Sequence, residues 1–136
     1  MQEMLNPSRT LSVTINRSVQ EVYDFAATPE NLPKWASGLG KSFKQEAGVW
    51  VAETGEGSVA VRFSARNAYG VLDHWVSPAP EVEIYIPMRV IPNGSGCELL
   101  FTLFHLPGMS DAQFSADAEW VMRDLTALKN LLEGQV

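Results

Sequence analysis

The chain opens on alternation. Residues 9–16 read RTLSVTIN, and Leu11, Val13 and Ile15 alternate with polar neighbours, the period of a half-buried strand. The period then changes at once. Ser18 is followed three residues later by Glu21, the spacing of a capping box. Val19, Val22, Tyr23, Phe25 and Ala26 give the apolar face of a helix. Pro29 ends that helix or begins the next. A second short helix is predicted over 29–35, its length limited by Pro33.

From 41 to 106 the period is two. Strands are predicted over 41–46, 49–54, 58–66, 71–76, 82–91 and 97–106. Turn residues fill the gaps: Ala47 and Gly48, Gly55 to Gly57, Asn67 to Gly70, Ser77 to Pro80, and Asn93 to Gly96. Strands joined so closely form an antiparallel meander. The last element is a long helix. Phe114, Ala118, Val121, Leu125, Leu128 and Leu132 make one apolar stripe over about five turns. Ser110 or Asp111 caps its start, and Gly134 is placed to stop it.

The order is one strand, two helices, six strands and one helix. It predicts a single α+β domain spanning residues 1–136. A curved antiparallel sheet of about seven strands has two short N-terminal helices, and the long C-terminal helix lies over its concave face. No other element is large enough to cover that face.

Composition narrows the function classes. Apolar residues make up 46% of the chain and charged residues 19%, an ordinary globular balance. The formal charge of −6 argues against nucleic acid and against anionic membrane, which need concentrated positive charge. Residues 1–6 carry no basic region followed by an apolar run, and no stretch approaches a membrane span, so a cytoplasmic location is expected. Cys97 is the single cysteine, which leaves no intramolecular disulfide and no paired-cysteine metal site.

The segment 12–35, SVTINRSVQEVYDFAATPENLPKW, carries an apolar and aromatic pattern at Val19, Val22, Tyr23, Phe25, Pro29 and Trp35. That pattern resembles the N-terminal motif of the bacterial polyketide cyclase/dehydrase-like branch of the START/Bet v 1-like (SRPBCC) superfamily. The stretches 67–74, 87–89 and 107–111 are similar to uncharacterised bacterial members. The resemblance implies a helix-grip fold with an internal pocket. Relatives include lipid and hormone binders, aromatase/cyclases, chaperone-binding modules and oxygenase domains, so fold alone does not choose a function. The histidine-carboxylate iron site of the oxygenase domains cannot be assembled from this sequence.

Alternation sorts the strands into faces. Val59, Val61, Phe63 and Ala65 share one side of 58–66, and Arg62 and Arg66 the other. Val82, Ile84, Ile86, Met88 and Val90 point inward in the 82–91 run, with Tyr85 and Arg89 outward, where an exposed strand or a homodimer contact would explain them. Cys97, Leu99, Phe101, Leu103 and His105 form the apolar set of the last strand. The ligand-binding set drawn from these faces is Val61, Phe63, His74, Ile84, Ile86 and Met88, with Phe101, Leu103 and His105. Trp35 joins it from the short helix, and Val121 and Leu125 from the long one.

A register placing Met88 opposite Phe101 would set Ile84 opposite His105. A short preceding turn would set His74 opposite Ile84. Both histidines would then flank Ile84 and form the polar end of the pocket, unless either hairpin slips by one residue. Asp117, Trp120 and Asp124 lie beside the helical stripe, near the pocket rim, although acids there are usually solvated.

The plainer alternatives stand beside these. A lone strand histidine is as often a satisfied core residue. A zinc site needs a third ligand, and Cys97 lies far along the strand from His105, so no metal or other cofactor is expected. Asp73 and His74 are sequence neighbours and leave opposite faces, which spoils a catalytic triad. Gly55 and Gly57 sit between strands, out of context for a phosphate loop. Two functions remain in front: binding of a small hydrophobic molecule (a lipid, an aromatic or a polyketide-like compound), and a cyclase or dehydratase reaction using pocket histidines. A protein-interaction module is the third.

Overall fold

A computed structural model describes residues 5–37, 42–55 and 57–134 of the chain. Residues 1–4, Lys41 at the predicted start of a strand, and Glu56 in a predicted turn lie outside the described residues. The strands are β1 (Ser8–Ile15), β2 (Ser42–Glu46), β3 (Val49–Thr54), β4 (Gly57–Phe63), β5 (His74–Ala79), β6 (Val82–Ile86), β7 (Met88–Asn93) and β8 (Gly96–Phe104). The helices are α1 (Val19–Ala26), a 3-10 helix (Pro29–Lys34) and α2 (Asp111–Glu133).

Local chemistry fixes the helix starts. The Ser18 hydroxyl accepts the Glu21 backbone N–H at 3.2 Å, and the Ser110 hydroxyl accepts that of Gln113 at 3.1 Å. Ser110, not Asp111, is therefore the cap of α2. Pro29 occupies the first turn of the 3-10 helix, where its missing N–H costs nothing.

The strands form two antiparallel sheets. One has the order β1-β8-β7, the other β2-β3-β4-β5-β6. The predicted run 82–91 is divided at Pro87. Proline has no N–H for the ladder, and β6 goes with β5 while β7 goes with β8. Met88 pairs with Phe101, the register expected of that hairpin. His74 pairs with Ile86 and Val76 with Ile84, two residues from the expected register, so the inward face is kept.

Asp73 fastens the junction. Its carboxylate accepts the Met88 backbone N–H at 2.8 Å, just past the proline. It also accepts Arg89 Nε at 3.1 Å, Arg89 Nη2 at 3.0 Å and the Tyr85 hydroxyl at 2.7 Å. One side chain thus holds the last turn of β6 and the first residues of β7. Beside it, the Leu72 N–H donates to the Met88 carbonyl, and the Val90 N–H to the Gly70 carbonyl. Gly70 has φ +72°, and a Cβ there would lie 2.2 Å from the Val90 carbonyl oxygen, so only glycine fits.

The core lies under the three-stranded sheet. Leu11 and Ile15 of β1, Val90 of β7, and Cys97 and Leu99 of β8 are buried with Val22 of α1. Leu125, Leu128 and Leu132 of α2 close over them, each at most 1% exposed. The Arg17 guanidinium donates to the last carbonyls of α2, at Leu132 and Glu133. Lys129 donates to the Thr14 carbonyl at 2.7 Å. The C-terminal half of α2 is thereby tied to β1. Among the described residues, no helix is long and apolar enough to cross a membrane.

Candidate functional site

The middle of α2, from Trp120 to Leu125, faces residues of the five-stranded sheet. Between them is a cavity of about 330 Å³, within the range of small-molecule sites. Val59 and Val61 of β4, Val76 of β5, Ile86 of β6 and Phe101 of β8 form its floor and wall. Trp120, Val121, Asp124 and Leu125 of α2 form its roof. Leu32, Trp35 and Ala36 close it from the 3-10 helix, and Thr54 of β3 also reaches it. Trp120 is 47% exposed and stands at the opening. A smaller cavity of about 40 Å³, room for ordered water, lies beyond. Leu32, Trp35 and His74 line both.

Seven residues selected from the sequence line the large cavity: Trp35, Val61, His74, Ile86, Phe101, Val121 and Leu125. Phe63 and Met88 face the smaller one. Ile84, Leu103 and His105 line neither. Ile84 is half-buried opposite Val76, and Leu103 opposite Arg9.

The histidine pair needs correction. His105 follows the end of β8, and its N–H donates to the Pro7 carbonyl at 2.8 Å. Its ring stacks on Phe114, with centroids 4.7 Å apart, and its Nε2 lies 2.6 Å from the Met109 carbonyl oxygen. His105 therefore braces the turn into α2. It does not meet His74, because the break at Pro87 takes β6 away from β8 and Ile84 never faces it.

His74 sits inside, 8% exposed, between the rings of Phe63 and Phe101. Its Nδ1 is 3.1 Å from the Leu72 carbonyl oxygen. A carbonyl only accepts, so Nδ1 carries the proton and Nε2 presents a lone pair. Burial holds the imidazole pKa below its ordinary value, against the Leu72 hydrogen bond and the Asp73 charge, which favours the neutral ring. Asp73 itself leaves the opposite face. Burial pushes its pKa up, but the hydrogen bonds from Arg89, Met88 and Tyr85 outweigh that and hold it low. Tyr85 and Arg89 are thus accounted for within one chain.

Trp35 is 6% exposed, and its buried indole Nε1–H has no hydrogen-bond partner among the described residues. Asp124 is half-buried at the roof. The Ser37 hydroxyl donates to it at 2.7 Å and the Ser37 N–H at 3.3 Å, yet burial dominates and raises its pKa. Asp124 and Trp120 were within reach of the helical pattern, which sets them beside the apolar stripe. Asp117 is instead held by Gln113 at 2.7 Å. Val59 and Val76 carried the alternation signal. Thr54 and Ala36 carried no signal in sequence. Cys97 is fully buried, and burial pushes its thiol pKa up, so it is a packing residue. Among the described residues no three metal-ligating side chains cluster.

A long helix lying across antiparallel strands, with an apolar cavity between, is a helix-grip fold. Solved structures share it across nearly the whole chain. XoxI from Bacillus cereus superposes with a TM-score of 0.72 at 17% identity, over 91% of this chain and 94% of that one. DynU16, a protein of the dynemicin biosynthetic locus, gives 0.70 at 15% identity over 93% of this chain, which spans only 47% of DynU16. Ara h 8.0201 gives 0.68 at 12% identity, over 95% and 99% of the two chains. No family model matches the sequence, and no curated protein matches it.

Proposed function

We propose that the protein binds a small hydrophobic molecule in the cavity between the five-stranded sheet and α2. The observation that carries this reading is the cavity itself. It is about 330 Å³, walled by aliphatic and aromatic side chains, with few polar groups to orient a guest. Trp120 at the opening offers a path inward.

The test is a thermal-shift screen of aromatic and acyl compounds without added metal. Binding at a hundredfold excess over the dissociation constant adds about 2.7 kcal/mol to stability. Native mass spectrometry of protein from its own host then identifies any molecule that travels with it. No shift across a broad lipophile set, beside a clear shift with zinc or iron, would overturn the reading.

One observation favours a second reading, a cyclase or dehydratase-type enzyme. His74 and Asp124 line the same cavity, and burial moves them in opposite senses, the imidazole down and the carboxyl up. Such a pair suits proton transfer. On this reading His74→Phe abolishes turnover while ligand binding survives. On the first, the same change weakens only a polar ligand.

A further inference from the structure

Trp120 and Asp124 are four residues apart in α2, one helical turn, and both line the roof of the large cavity. Trp120 is 47% exposed and stands at the opening. Asp124 lies one turn closer to the buried leucines of the helix, so a carboxylate sits just behind the mouth of an apolar chamber.

That carboxylate is only half satisfied. Its Oδ1 accepts from the Ser37 hydroxyl and the Ser37 N–H. Its Oδ2 accepts from no described residue, and it is not sealed from solvent as Trp35 Nε1 is. Arg123 is the neighbouring cation, and its guanidinium lies over the Trp120 ring, 5.1 Å from the centroid. Burial outweighs that charge and the Ser37 hydrogen bonds, and raises the Asp124 pKa. A carboxylate in this state gains from a further positive charge and loses from a further negative one. An ammonium brings that charge together with donors and no acceptor. The chamber behind, walled by Val61, Val76, Ile86 and Phe101, suits an apolar body.

We propose that the cavity takes lipophilic amines in preference to lipophilic carboxylates. The apolar body fills the chamber, and the ammonium stays at the mouth and donates to the Asp124 carboxylate. The inference rests on the lipophile-binding reading and names the ligand class for that site.

Three probes on one skeleton test it: 2-naphthylmethylamine, 2-ethylnaphthalene and 2-naphthylacetate, which are a cation, a neutral molecule and an anion at neutral pH. Dissociation constants are measured on the full chain, with 2-ethylnaphthalene as the reference for each protein. The amine is expected to bind about tenfold more tightly than naphthylacetate. In Asp124→Asn, checked for folding by circular dichroism, that ratio falls to near one; Asp124→Ser replaces it if the asparagine variant does not fold. Asp117→Asn removes the same charge from the same helix outside the cavity lining, and should keep the parent ratio. If the amine and naphthylacetate bind the parent equally, or the anion binds better, the ligand class is overturned and the lipophile site stands. If the preference survives at residue 124, or is lost equally at residue 117, Asp124 is not the counter-ion and the proposal is overturned. If none of the three probes binds, the lipophile site falls and this inference with it.

Discussion

The two sheets use their inner faces differently. The three-stranded sheet buries Leu11, Ile15, Met88, Val90, Cys97, Leu99 and Phe101 in one continuous core. The five-stranded sheet, with more strands, contributes only Ala52, Val61 and His74 to the buried set. The cause lies in α2. Leu128 and Leu132 close on the core with residues of β1 and β8, whereas the stretch from Trp120 to Leu125 stands over the cavity bordered by β4 to β6. One helix therefore serves as core on one side and as roof on the other. Buried packing is concentrated where the helix touches, and the cavity lies where it does not.

Substitutions on the two sides should separate accordingly. The largest loss is expected for Leu128→Asp, which buries an unpaired charge against β1 and β8. It should cost several kcal/mol and shift the urea midpoint far down or prevent folding. A parent-like midpoint would mean that this half of α2 is not core. Leu99→Ala, in the same core, should cost about 2–5 kcal/mol. Val76→Ala borders existing empty space and should cost less than about 1 kcal/mol. Equal losses at Leu99 and Val76 would erase the contrast.

The junction between the sheets comes next. Asp73→Asn should cost about 3 kcal/mol, because it removes the charge that Arg89, Tyr85 and the Met88 N–H all address. The carboxyl pKa is lowered by folding, so its contribution is present above about pH 4, the unfolded value, and lost as pH falls through the folded value. The parent and Asp73→Asn should therefore differ by a constant amount near neutrality and converge in acid. A constant gap down to pH 2 would show that the charge is not what holds the junction.

The smallest effect belongs to the open side. Folding lowers the pKa of His74, so the unfolded chain takes up a proton first. Stability should decline as pH falls below about 6.5, and His74→Phe should remove that decline without touching the acid limb due to Asp73. Denaturant titrations at closely spaced pH values from 8 to 4 measure both windows. No change between the two proteins near pH 6 would place His74 in contact with water.

Most elements were legible because their signals are local. The stripe of α2, the alternation of β1, β4 and β8, and the serine caps each lie within one run of residues. The features that were not legible are set by distant partners. Pro87 is visible as a ladder breaker, but its effect depends on Asp73 reaching the next N–H. β8 ends at Phe104, so the strand predicted to run on to residue 106 placed His105 on the wrong element. Of the site, the floor residues Val61, Ile86 and Phe101 followed from alternation, and Trp120 and Asp124 from helical spacing. The unpaired state of the Trp35 Nε1–H among the described residues did not follow, because it depends on which groups remain without a partner after folding.

The pairing of β1 with β8 also bears on how the chain reaches this state. Ser8 lies opposite Phe104, and Ile15 opposite Cys97, so the core sheet joins segments near opposite ends of the sequence. During synthesis, the meander from β2 to β6 emerges with its apolar face bare and no helix yet made to cover it. The core forms only after β8 and α2 follow. Contacts this distant in sequence fold slowly. The nascent protein therefore passes through an interval in which its cavity-facing surface is open to chaperones and to other chains.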